Sequence, residues 1–178
     1  MPMHVTDYID VEQRCAALSI PKPEGFCILP RRFEDAQTVS DLRHESSALD
    51  LKVLFRRANL PITVYQPDGA TIPYLQENDN TWTGPILLLG YAVLTSDPNA
   101  LAVSLSIIAN YLTDFFRGNP EPVRAKLSFV VEVLETETKE KETKTGTTKT
   151  TKVIRKRFDF DGPPDELPGF PDFIKDNI

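Results

Sequence analysis

The residues best equipped for chemistry are a few carboxylates, two cysteines and two histidines, and their spacing restricts what they could do. Asp159-Phe160-Asp161 sets two acids two apart. On a strand both turn to one face, where they could share a metal ion. Together with Asp114 and Glu132 they form the set that a small metal-dependent hydrolase or nuclease would use. Glu137-Thr138-Lys139 adds the E-x-K pair that completes many nuclease sites, with Asp114 as its upstream ligand. That triplet lies in a run of Thr, Lys and Glu, where composition alone produces it.

Thiol catalysis would need a base beside Cys27 or Cys15. His44, next to Asp41, Glu45, Ser46 and Ser47, is better placed than His4 near the terminus. Cys27 falls inside the apolar stretch Phe26 to Leu29, which reads as a buried, inert thiol. There is no G-x-S-x-G elbow, no G-x-G-x-x-G, no G-x-x-x-x-G-K-[ST] and no zinc-ligand spacing. The sequence therefore assigns no catalytic residue, no cofactor-binding residue and no metal ligand, and it leans away from an enzyme. Asn110 and Asp114, four apart on an apolar helix, read as a buried hydrogen-bonded pair or else a polar site.

Charge narrows the partners. The 178 residues carry a net charge of −6, against general affinity for nucleic acid. The segment from Lys144 to Arg157 holds six basic residues and no acid. Lysines there alternate with threonines rather than aromatics, so electrostatic contact with a nucleic-acid backbone is the most that this arm offers. Six acids against Lys175 follow between Asp159 and Asp176. Two cysteines, no CxxC and an acidic N-terminus fit a reducing, cytoplasmic setting. The apolar region from Ile86 to Phe116 is broken by Asp97, Pro98, Asn99, Asn110 and Asp114, so no membrane span is expected.

The elements that must position these groups follow from pattern. Thr6 to Leu18 reads as a helix capped by Thr6 or Asp7, and Phe26 to Leu29 as a strand. Ser46 to Ala58 reads as a helix with Leu49, Val53 and Leu54 on its apolar face. Ile62 to Tyr65 and Thr71 to Leu75 read as a hairpin around Pro67-Asp68-Gly69, followed by a polar loop from Gln76 to Thr83 containing Trp82. Ile86 to Leu94 has the continuous apolar character of a strand covered on both faces. Asp97-Pro98 then opens a buried central helix over 98–117, closed by Gly118-Asn119-Pro120.

A long hairpin over 126–160 completes the chain. Leu127, Phe129, Val131 and Val133 alternate, as do Ile154, Phe158 and Phe160. A two-residue turn at Thr145-Gly146 would set Val131 opposite Phe160 and Val133 opposite Phe158. Residues 136–152 are then a projecting polar arm, and 162–178 a proline-rich tail docked by Leu167, Phe170, Phe173 and Ile174. The expected fold is one α+β domain over 1–178, with a mainly antiparallel sheet packed on the central helix. The expected function is that of a non-enzymatic, bacterial-type interaction or accessory protein, acting through assembly with itself or a protein partner. The carboxylate hydrolase or nuclease and the electrostatic nucleic-acid binder stand as its alternatives.

Overall fold

A computed structural model of the chain describes residues 2–75, 81–118, 123–140 and 146–178. The architecture is mixed α+β, with a six-stranded sheet and five helices among those residues. In chain order come β1 (Met3–Asp7), α1 (Val11–Leu18), β2 (Phe26–Leu29), α2 (Ser47–Arg57) and β3 (Ile62–Val64). They are followed by β4 (Thr81–Leu89), α3 (Tyr91–Ser96), α4 (Ala100–Phe115), β5 (Arg124–Glu140), β6 (Thr147–Gly162) and α5 (Phe170–Asp176). The strands lie in the order β1-β6-β5-β4-β2-β3.

The sheet is mixed rather than mainly antiparallel. β1–β6, β5–β6 and β2–β4 pair antiparallel, whereas β2–β3 and β4–β5 pair parallel. Each parallel pair is joined by a helical crossover, through α2 in one case and through α3 and α4 in the other. Parallel neighbours require such long connections.

One face of the sheet carries the larger core. Phe26, Ile28, Leu87, Leu89, Leu127, Phe129, Phe158 and Phe160 meet α2, α4, α5 and the 3-10 turn Pro164–Gly169 there. α4 buries Ala100, Leu101, Ser104, Leu105, Ile108 and Leu112, while Val103 and Phe115 remain exposed. It thus lies on the sheet with its outer side open, not between two layers. On α2 the buried positions are Ser47, Ala48, Leu51 and Phe55, and Leu49 and Val53 face outward. The tail closes this layer: Leu167, Phe170 and Ile174 are buried, and Phe170 meets Phe129 edge-on at 6.2 Å. The opposite face is smaller, with Val11 and Cys15 of α1 packed on Cys27, Leu29, Leu88 and Val130.

Several local expectations give way to tertiary pairing. Met3 to Asp7 is a strand on the edge of β6, and α1 begins later, where the Asp10 carboxylate accepts the Gln13 amide at 2.9 Å. Thr71 to Leu75 contributes only an isolated bridge between His44 and Tyr74. The apolar run after Ile86 ends as a strand at Leu89 and continues as α3 beyond Gly90. Asp97 caps no long helix; its carboxylate accepts the Asn99 amide. The proposed stop at Gly118-Asn119-Pro120 is described only as far as Gly118, and Gln76 to Asn80 of the polar loop also lies outside the described residues.

The hairpin register is displaced by four residues, with Lys156 rather than Phe160 opposite Val131. The shift is even, so the apolar face is kept. It also improves the pairing, setting Leu127 against Phe160, Phe129 against Phe158 and Val133 against Ile154. The expected register would have spent Leu127 and Phe129 on Pro164 and Gly162. Thr145 of the expected turn lies outside the described residues, and Gly146 has a φ of +104°.

Trp82 belongs to β4 and is buried in the larger core. The register between β4 and β5 slips at Gly84-Pro85, which brings Trp82 to the same side as Leu87 and Leu89. A Cβ at Gly84 would stand 2.5 Å from the Trp82 ring and 3.0 Å from Leu127 Cδ1. Gly84→Ala should therefore cost about 1–3 kcal/mol in urea unfolding and shift the tryptophan emission, because the indole has to move. Unchanged stability and emission would contradict this account of the bulge.

Candidate functional site

Charged chemistry concentrates on the smaller face of the sheet, where β5 and β6 present Lys126, Ser128 and Glu132 beside Arg155, Arg157, Asp159 and Asp161. Strand alternation places all of them on the side opposite Leu127, Phe129, Phe158 and Phe160. α1 and the loop after β2 supply the remaining partners.

Two networks result. Arg155 donates to both oxygens of Glu12, at 2.8 and 2.7 Å, and to Glu132 at 2.9 Å. Its side chain is only 5% exposed, so this cation is almost wholly enclosed. Lys22 adds a second ion pair to Glu12 at 2.8 Å. The Arg155 hydrogen bonds hold the Glu12 carboxyl well below the usual carboxylate range. In the second network Arg157 donates to Asp159 at 2.8 Å, to Ser128 at 3.2 Å and to Glu34. Ser128 donates in turn to Asp159 at 2.5 Å. Nearby, burial and then the Glu34 carboxylate raise the Tyr8 phenol above the ordinary tyrosine range. Asp161, hydrogen-bonded by Arg124, is held low in the same way as Glu12.

Beside the second network the β4 bulge opens a cleft of about 270 Å³. Arg31, Glu45, Lys126, Ser128, Asp159 and Asp161 are among the residues around it. The volume lies just under the range usual for small-molecule sites. Its charges balance, three cations with Arg157 against three carboxylates, and the Asp159 and Asp161 carboxylates already take hydrogen bonds from arginines. This arrangement holds strands and a loop together more directly than it activates a nucleophile or a water.

The other candidate residues are dispersed. Asp159 and Asp161 do share a face, but each is ion-paired. Asp159 sits opposite Ser128, four residues from Glu132 along β5, or about 13 Å at strand spacing. Metal ligands stand only about 2.0–2.6 Å from their ion. Asp114 is exposed near the end of α4 and pairs with Arg117 at 2.7 Å, and Asn110 is exposed as well. The Asn110–Asp114 pair is thus neither buried nor part of a polar cluster. Glu137 projects on β5 opposite Thr150. Among the described residues no group of three His, Cys, Asp or Glu side chains is placed to hold a metal ion.

Cys27 packs with Cys15, Leu29 and Leu88, and burial pushes its thiol up to about 12. His44 is fully buried, donating from Nε2 to the Tyr65 carbonyl at 2.7 Å, with its ring 5.4 Å from Tyr74. The two residues serve different packing sites. The basic arm is also divided. Arg155 is enclosed by carboxylates, the half-buried Arg157 is paired with them, and Lys156 donates to the Asn177 carbonyl at 2.8 Å. Lys149 and Lys152 remain exposed, while Lys144 lies outside the described residues.

Sequence reasoning missed Glu12, Glu34 and Ser128 as partners. The alternation of Arg155, Arg157 and Asp159 along one face of β6 was the available signal, because consecutive charges on one side of a strand with an apolar other side mark a network rather than a solvated arm. No helix among the described residues is long and apolar enough to cross a membrane.

Three substitutions test these assignments. Arg155→Ala leaves Glu132 enclosed without its cation and should cost about 3–5 kcal/mol. Glu12→Gln, at the exposed end, should cost about 1 kcal/mol or less. Equal effects in urea unfolding would refute the enclosed-cation account. Burial lowers the His44 pKa below its ordinary value, so its contribution is complete above about pH 6.5 and fades as pH falls below it. In that window the unfolded chain takes up a proton that the native state resists. Between pH 8 and pH 5 the native chain should lose stability more steeply than His44→Gln; parallel curves would contradict this.

Comparison with protein-family models, with curated proteins and with solved structures returns no match to this chain.

Proposed function

We propose that the chain is a non-enzymatic, bacterial-type interaction or accessory protein that acts in the cytoplasm by assembling with itself or with a protein partner. The observation that carries this reading is the extension of β5 and β6 past the sheet. β4 stops at Leu89, opposite Val131, and β1 stops at Asp7, opposite Lys156. The ladder continues outward from Leu134–Val153 to Glu140–Thr147 as two strands. A two-stranded ribbon is marginal in water by itself, and its open edges are ready templates for another strand. Leu134 and Val153, paired across its base, are 41% and 45% exposed.

The charged face supports the same reading, since its principal carboxylates and arginines are engaged with one another. The nucleic-acid alternative retains Lys149 and Lys152 in the described arm, with Lys152 directly opposite Glu135. That is a thin electrostatic footprint.

The test removes the ribbon without touching the core. Glu135 and Lys152 are a paired position, so replacing residues 136–151 by Asn-Gly closes the hairpin there with a tight turn. The shortened chain should keep its circular dichroism and unfold within a few degrees of the full chain. It should lose self-association in light scattering and lose any partner captured by cross-linking in its native host. Identical behaviour of both chains, monomeric and without a partner, would refute the proposal.

A further inference from the structure

The start of α2, the start of β4 and the end of α4 meet at a pocket of about 140 Å³ on the side of the sheet that carries the larger core. Its wall is aromatic. The Trp82 and Tyr111 rings stand 6.0 Å apart, and Phe115 continues the row 5.8 Å from Tyr111. Trp82 is buried and Phe115 is 51% exposed, so the row runs from an enclosed indole out to an open ring. At the ~30 Å³ that a water takes in the liquid, the pocket holds about five non-hydrogen atoms, and Phe115 adds a platform beside it.

Two polar groups in this wall lack a full set of partners. The Trp82 Nε1 is enclosed, and nothing accepts its proton. An unpaired buried donor is costly unless a ligand or water answers it. The Cζ3–Cη2 edge of the ring is the one that meets Gly84, so Nε1, across the ring, is turned away from the bulge. The Tyr111 hydroxyl nearby stands outside hydrogen-bond geometry with Nε1 and donates instead to Asp50 at 3.3 Å. Asp50 is exposed, and no cation pairs with it among the described residues. Ser46 also borders the pocket and precedes α2 without capping it through its side chain.

Charge selects the ligand. An ammonium ion would answer Asp50, but it would leave the indole N–H unpaired and stand by the positive end of α2. A carboxylate or phosphate would suit the N–H and the helix end but would meet the Asp50 carboxylate. A neutral hydroxyl both donates and accepts, and so serves Asp50 and Nε1 together. A carboxamide does the same but brings no ring to lay on Phe115. A sugar carries hydroxyls on adjacent carbons and presents C–H groups on its ring faces, which pack on an aromatic side chain. We propose that this pocket binds a neutral sugar residue, with one hydroxyl-bearing edge between Asp50 and Trp82 and its ring on Phe115. Few polar groups set in an apolar wall are the usual makeup of a small-ligand site. The site does not involve the ribbon, so it goes beyond the assembly function proposed above and stands without it.

Trp82 is the single tryptophan, so its emission reports on the site directly. The full chain is titrated with the methyl glycosides of glucose, galactose, mannose and fucose. At least one should shift the emission saturably, with a dissociation constant on the order of 1 mM for a ligand of this size. Asp50→Ala and Phe115→Ala, both at exposed positions, should keep the circular dichroism of the native chain and weaken binding about tenfold or more. Val53→Ala, on the outer side of α2, should leave binding unchanged, as should the chain shortened at residues 136–151. No saturable response to any of the four sugars, in emission or in saturation-transfer NMR, would overturn the proposal. Sugar binding that survives both Asp50→Ala and Phe115→Ala would overturn this site. Tetramethylammonium, sulfate or acetamide binding there more tightly than every sugar would overturn the ligand class.

Discussion

The antiparallel ladder between β5 and β6 is the contact on which the rest of the molecule depends. It runs without interruption from Ala125–Gly162 to Glu140–Thr147. Its inner half pairs with β4 on one side and β1 on the other, so four of the six strands are placed by it directly. One face carries Leu127 opposite Phe160 and Phe129 opposite Phe158, an apolar ladder onto which Phe170 and Phe173 of the tail are packed. Cross-strand pairs of this kind fix register, since a slip of one residue would turn the aromatics toward water.

The same ladder organises charge on its reverse side. Arginine is suited to this position because its planar fork can satisfy two carboxylates at once. Arg155 joins β6 to α1 through Glu12 and to β5 through Glu132; Arg157 joins β6 to the loop after β2 through Glu34. A buried cation contributes little net stability when paired, but its loss is costly because the remaining charge cannot be solvated. The network therefore specifies where α1 and that loop lie more than it strengthens the fold. On this face Glu12, Glu34, Glu132, Asp159 and Asp161 each accept a hydrogen bond from an arginine.

Beyond Leu134 and Val153 the ladder changes character. The apolar face stops, threonines and charged residues take both sides, and no helix among those described covers the ribbon. Threonine keeps the strand conformation favourable through its branched β-carbon without offering a core. A segment that is extended, polar and unpaired at its edges is suited to recognition by strand addition, where backbone groups give affinity and side chains set the register.

Much of this architecture was legible in the sequence, and what was legible was local. β2 and α2 lie where the sequence put them, although α2 buries Ala48, Leu51 and Phe55 in place of the expected Leu49 and Val53, and α4 follows from the recurrence of Leu101, Leu105, Ile108 and Leu112 at helical spacing. The two-residue alternation of β5 and β6 established which side chains face the core, a property preserved by the even register shift. Tertiary structure decided the rest. Parallel pairing of β4 with β5 came from the crossover through α3 and α4, and β1 took Thr6 and Asp7 from the start of the expected helix because an edge of β6 was open to receive them. The partners of Arg155 and Arg157 lie more than a hundred residues away in the case of Glu12 and Glu34, so no spacing could announce them. Alternation is a property of neighbours along the chain, whereas register, strand order and ion pairing compare alternatives distant in sequence, and only packing distinguishes their energies.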